Sequence, residues 1–157
     1  MTSTRDEAGC AIHASCVLVG EAGILIRGPS GAGKSTLAAS LVEEARRTGR
    51  HGGLVGDDRV RLSVRHGRLI ARPVAAIAGL IEVRGLGLRR VPHDGAAVIR
   101  LVVDLVADRP ARLPDPAAIT LRLLGIDLPL VEALRDDAAR LVAWRLRGNH
   151  DTVVTKL

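Results

Sequence analysis

The sequence predicts an α/β fold with a mixed sheet in one domain, and three observations carry that prediction. The apolar run Ile24-Leu25-Ile26 enters a glycine-rich turn at residues 28–33, after which apolar residues recur at helical spacing. Strand, glycine turn and helix in that order open a parallel α/β unit. Short aliphatic runs separated by tight turns add antiparallel hairpins to it. Finally, 157 residues of which 47% are apolar suit a single domain with a sizeable core.

Each element has its own local cause. Residues 11–19 alternate enough to form a strand, and Gly20-Glu21-Ala22-Gly23 is a hairpin turn leading into the buried strand 24–26. Leu37, Ala38, Leu41, Val42 and Ala45 share one face of a helix over 35–47, which the basic residues 46, 47 and 50 and Gly49 terminate. Gly53-Leu54-Val55-Gly56 is a second short buried strand, closed by Asp57-Asp58. Residues 60–64 and 68–72 flank His66-Gly67 as a hairpin, residues 79–91 alternate glycine, aliphatic and charged residues, and 98–106 is a strand. Three prolines make 109–116 a loop. Two strands follow at 119–123 and 126–130, then an amphipathic helix over 130–146 carrying Leu134, Ala138, Leu141, Val142 and Trp144. The domain spans 11–147, and the ends, 1–10 and 148–157, are expected to be flexible.

Composition narrows the function classes. The chain has no Phe or Tyr and a single Trp, which argues strongly against the stacking platforms that hold single-stranded nucleic acid. Its net charge of +6 suits phosphate binding, and an arginine-rich composition alone also accounts for it. No signal peptide or membrane-length apolar run is visible, and Cys10 and Cys16 have no metal or disulfide spacing. A cytoplasmic domain with free thiols is the expectation.

Residues 28–35 match G-x-x-x-x-G-K-[ST] at every required position. Gly28, Gly31 and Gly33 allow the backbone to curl with its N–H groups inward, around Pro29, Ser30 and Ala32. The helix N-terminus adds its dipole, Lys34 can reach nucleotide phosphates, Ser35 can join a Mg²⁺ shell, and Thr36 completes the run. Asp57 and Asp58 end a strand near the same sheet edge, where one can serve Mg²⁺ and the other can accept a proton from an attacking hydroxyl. An exposed acidic turn is the plainer alternative for this pair. Glu82 and Arg84 fit either the polar face of an edge strand or a metal ligand beside an anion-binding arginine. His13 alone is a hydrogen-bonded strand residue, and no histidine set has zinc spacing.

Taken in order, His13, residues 28–35, Leu54-Val-Gly-Asp-Asp58, Ile81-Glu82-Val83-Arg84-Gly85-Leu86-Gly87 and Leu101-Val-Val-Asp-Leu105 resemble the catalytic domain of HPr kinase/phosphorylase. That resemblance implies an HPr kinase/PEP carboxykinase-like, P-loop kinase-like domain. It implies ATP held by Lys34 and the loop, Mg²⁺ on Ser35 and Glu82, Asp58 as base toward the substrate serine, and His13 beside it. Arg112 matches an active-site arginine, and the segment 81–87 is the family's signature. The implied partner is HPr or an HPr-like phosphocarrier, and the implied assembly is a homo-oligomer, typically a hexamer. The chain departs from the pattern at Pro29 and Thr36, where the family is acidic, and at Arg89-Arg90, where it is apolar then Asn. The family's N-terminal domain is not expected here. The segment 130–135 lacks the glycine and basic pattern that the family uses for dephosphorylation, so kinase activity is favoured over phosphorylase activity. The other readings are a non-catalytic ATP-sensing module and a nucleic-acid-associated NTPase, the latter disfavoured by the missing aromatics. An adenine ring would rest on aliphatic or arginine surfaces, which implies loose base selectivity.

Overall fold

The computed structural model describes residues 9–115 and 119–147. The ends expected to be flexible lie outside these residues, except for Gly9 and Cys10, and Cys10 begins the first strand. In chain order the strands are β1 (Cys10–His13), β2 (Ser15–Val19), β3 (Ala22–Arg27), β4 (Gly52–Gly56), β5 (Arg59–Arg65), β6 (Arg68–Pro73), β7 (Leu80–Val83), β8 (Gly87–Arg90), β9 (Ala97–Leu105), β10 (Thr120–Leu123) and β11 (Ile126–Ala133). Helix α1 (Lys34–Arg47) follows β3, and α2 (Ala138–Arg147) follows β11.

Nine strands form one mixed sheet in the order β1-β5-β6-β9-β3-β2-β4, with β11 beside β9 and β10 beside β11. Strand β9 is its axis. It pairs in parallel with β3 on one edge, while β6 (antiparallel, at Ala97 and Val98) and β11 (parallel, at Val102–Leu105) share its other edge. The parallel trio β3, β9 and β11 therefore ends on one side of the sheet, and the loops there build the site.

Period-two alternation divides the core. Ile24 and Ile26 point toward α1, where Leu37, Ala38, Leu41 and Ala45 form the buried stripe, together with Val17, Leu54 and Val103. Leu25 points to the opposite face, among Cys16, Val55, Leu62, Leu69 and Val102. Truncating a buried leucine such as Leu41 to alanine costs about 2–5 kcal/mol in sites of this kind. The glycines of β4 have a packing reason: a Cβ on Gly52 would stand 2.6 Å from the Val42 carbonyl oxygen, so only glycine lets α1 lie this close.

Two sequence expectations are corrected. The strand expected over 11–19 breaks at Ala14, whose amide donates to the Asp58 carbonyl at 3.1 Å. β1 pairs with β5, whereas β2 pairs with β3 and β4. The helix expected over 130–146 begins only at Ala138, because Leu130–Ala133 continue β11 in register with Val102–Leu105. On α2, Ala138 and Val142 are buried, while Trp144 is 64% exposed.

Candidate active site

Strand β3 delivers the loop. At its last residue, Arg27 makes a bidentate ion pair with Asp104 of β9, both contacts 2.7 Å, which ties the two parallel strands together just before the glycine turn. Asp104 holds the Arg27 guanidinium above its ordinary pKa, chiefly through this hydrogen bonding. Gly31 and Gly33 have φ of +78° and +99°, left-handed values that side-chain-bearing residues seldom adopt. No side chain caps α1 at Gly33, so its first amides stay open to an anion. The Lys34 ammonium is buried beneath the loop and donates to the carbonyls of Gly28 (2.9 Å) and Pro29 (3.0 Å).

Strand β4 delivers the carboxylates, and the two neighbours end in different surroundings. Asp57 is buried and accepts hydrogen bonds from Ser15 Oγ (2.7 Å), from Ser35 Oγ (2.7 and 2.9 Å) and from the Glu82 amide (3.3 Å). One carboxylate thus connects β2, the first turn of α1 and β7. Asp58 has φ +66° and a side chain that is 67% exposed, with His13 Nε2 3.3 Å from its carboxylate. The break at Ala14 makes this possible, since it leaves His13 at the end of β1, paired with Arg59 and so beside Asp58. A left-handed aspartate is uncommon, and backbone in that region concentrates where a site requires it.

A cleft of about 630 Å³ opens over these groups. Of the expected residues, Ser30, Gly31, Gly33, Lys34, Ser35 and Thr36 line it from the loop side, and Asp57 and Asp58 from β4. Glu82, Arg84, Gly85 and Gly87 line it from the β7–β8 hairpin. The signature segment is therefore a hairpin beside the loop, with its turn closed by Leu86 N–H donating to the Val83 carbonyl at 2.9 Å. A second hollow, about 620 Å³, lies beyond Pro29–Ala32, lined by aliphatic Leu105, Ala107 and Leu134 together with the charged Arg109, Arg135, Asp136 and Asp137. Arg112 lines neither hollow, whereas Arg109, in the same proline-containing segment, lines the second one.

Two site residues were not anticipated. Ser15 is fully buried and serves both carboxylate positions, donating to Asp57 and accepting from the Asp58 amide at 3.4 Å. Its only sequence signal is a hydroxyl within an aliphatic strand. Arg135, in the turn between β11 and α2, lines both hollows, and a Cβ on Gly33 would meet its Nε at 3.0 Å. Reading 130–146 as one helix concealed it.

Ser35, Asp57 and Glu82 offer only oxygen, which suits a hard divalent cation. Among the described residues, no three His, Cys, Asp or Glu side chains group into a metal site. The fit is that of Mg²⁺, which takes one or two carboxylates and completes its shell with phosphate oxygens and water.

Fold and site together define the P-loop, kinase-like α/β class. Residues 7–108 match the HPr Serine kinase C-terminal domain, and the chain belongs to that family. It is 41% identical over 81 residues to the HPr kinase/phosphorylase of Clostridium tetani, covering 52% of this chain and 25% of that one. It is 33% identical over 130 residues to the HPr kinase/phosphorylase of Halalkalibacterium halodurans, covering 76% and 40%. The solved Hpr(Ser) kinase/phosphatase from Coxiella burnetii superposes with a TM-score of 0.70 at 26% identity, over 88% of this chain and 94% of that one. The chain spans 24–40% of the length of the curated relatives it matches. His13, the loop, Asp57, Asp58 and the signature hairpin all fall inside the matched residues; Arg112 and Arg135 fall outside them.

Proposed function

We propose that this chain is an ATP- and Mg²⁺-dependent protein-serine kinase acting on HPr or an HPr-like phosphocarrier. One observation carries the reading: a buried carboxylate bound to the loop serine lies next in sequence to an exposed carboxylate paired with a histidine. The first suits the nucleotide side of a phosphoryl transfer and the second suits the incoming hydroxyl.

Loop amides and Lys34 hold the ATP phosphates. Ser35, Asp57 and Glu82 would hold Mg²⁺, which neutralises phosphate charge when bound. Asp58 accepts the proton of the substrate serine as its oxygen bonds to the γ-phosphorus and the bond to the β–γ bridging oxygen breaks, releasing ADP. His13 orients the Asp58 carboxylate. Arg84 and Arg135, lining the same cleft, offset charge on the transferred group. The base rests on Leu105, Ala107 and Leu134 in the second hollow, at the carboxyl ends of β9 and β11. The turn that follows β11, residues 134–137, has no glycine and a single basic residue, Arg135, which supports transfer to serine as the main direction over phosphorolysis.

The same reading implies a cytoplasmic enzyme that self-associates, on the pattern of its family. No helix among the described residues is long and apolar enough to cross a membrane. The test is transfer of the ATP γ-phosphate to purified HPr with Mg²⁺, alongside Lys34→Ala. Transfer by the wild type and its loss in Lys34→Ala, with ATP affinity weakened at least about 100-fold for removal of a buried phosphate-binding charge, supports the reading. A wild type that binds ATP and leaves HPr unmodified overturns it.

A further inference from the structure

Strands β7 and β8 form a two-stranded sheet apart from the main one, pairing Leu80 with Arg90, Ile81 with Arg89 and Glu82 with Leu88. Partners across an antiparallel pair share a face, and neighbours along a strand alternate. Leu80, Glu82, Leu88 and Arg90 therefore occupy one face, and Ile81 and Arg89 the other. The first three of these line the catalytic cleft, as does Val83 beside the turn; Arg90 is not itself in the lining but shares their face, beyond Leu88. Ile81 is buried in the cluster under α1, so the opposite face turns to the body of the domain. The Arg89 guanidinium donates to the Leu88 carbonyl at 2.9 Å.

This hairpin is unusual in what it leaves open. Leu86 and Leu88 are 60% and 67% exposed, two of the five large apolar side chains exposed among the described residues. Arg84 and Arg90 are exposed and take part in no ion pair there. Exposed leucine beside unpaired arginine, continuous with a transfer site, fits a protein surface rather than a nucleotide. The hollow that suits the base is lined by other elements altogether.

We infer that the cleft-facing ledge of Leu88 and Arg90 is the docking surface for the protein that carries the acceptor hydroxyl. Leu88 takes an apolar side chain and Arg90 a carboxylate, both close to that hydroxyl on the partner. The inference rests on the kinase reading above and adds where the substrate is held and what chemistry selects it.

The experiment uses steady-state transfer from ATP to HPr with Arg90→Glu and Arg89→Glu, which change net charge equally on opposite faces of the hairpin. Arg90→Glu is expected to raise KM for HPr about tenfold, with kcat and KM for ATP within about twofold, whereas Arg89→Glu shifts KM for HPr less than about twofold. Arg90→Lys restores most of the loss, and Leu88→Ser raises KM by about fivefold at unchanged kcat, giving a second test should Arg90→Glu fold poorly. Equal shifts from both reversals, no shift from either, or a shift in KM for ATP alone overturns the docking surface while the kinase reading stands. A changed size on gel filtration with unchanged KM overturns it in favour of a contact between copies of this chain. Absence of transfer by the wild type removes the kinase reading itself, and the docking surface with it.

Discussion

Asp57 and Asp58 are chemically identical neighbours to which the fold gives different work. Buried and triply hydrogen-bonded, Asp57 is a fixture of the loop; exposed and paired with His13, Asp58 is free to meet a substrate. Asp58→Asn keeps the shape and removes the basicity, so kcat falls by about 10³-fold, within the range for loss of a general base, while ATP affinity measured by calorimetry is unchanged. Ser15→Ala leaves Asp57 short of one buried donor and destabilises the fold by about 1–3 kcal/mol in urea titration. The thiols divide in the same way. Burial pushes the Cys16 thiol well above its ordinary value of 9.0, whereas Cys10 is exposed. A disulfide exchange reagent at neutral pH should label Cys10 rapidly and Cys16 only on unfolding. Because folded Cys16 holds its proton more tightly than the unfolded chain does, its contribution to stability is full below pH 9 and declines above it. The loop, both aspartates and Glu82 were legible because each belongs to a contiguous motif or a strand end. Ser15 was not: it meets Asp57 across 42 residues of sequence, and nothing local marks the encounter.

At the scale of elements, α1 and β4 are held close by the absence of a side chain at Gly52. Gly52→Ala places a Cβ 2.6 Å from the Val42 carbonyl oxygen, against rigid helix backbone, and forces the two elements apart. It should lower stability by about 1–3 kcal/mol, seen as a lower urea midpoint with unchanged slope. Periodicity identified α1 and the β5–β6 hairpin because each is a local pattern. It failed at residues 130–133, where aliphatic spacing also suits a helix and only parallel pairing with Val102–Leu105 decides for a strand. It also ran β1 and β2 together, since the break at Ala14 depends on a hydrogen bond from a residue far along the chain. Sequence alone thus located the loop and the carboxylates, while the elements that aim His13 and Arg135 at them became visible only with the tertiary fold.

The whole molecule explains its composition better than composition explained the molecule. No aromatic side chain lines the hollow beyond the loop, where aliphatic residues stand with Arg109, Arg135, Asp136 and Asp137. ATP and GTP should therefore bind within about tenfold of each other, a gap of about 1.4 kcal/mol, as competition with a fluorescent nucleotide would report. Of the arginines behind the net charge of +6, Arg84 and Arg135 line the cleft. The central claim joins all three scales: the exposed carboxylate beside a kinase-like phosphate loop directs ATP's terminal phosphate onto a serine of a carrier protein. Incubation of HPr with the chain, Mg²⁺ and γ-labelled ATP, followed by mapping of the label, tests it most directly. The account predicts a phosphoserine on HPr with wild type and none with Asp58→Asn, although that variant binds ATP equally well. Unlabelled HPr with an ATP-bound wild type, or wild-type transfer by Asp58→Asn, would contradict it.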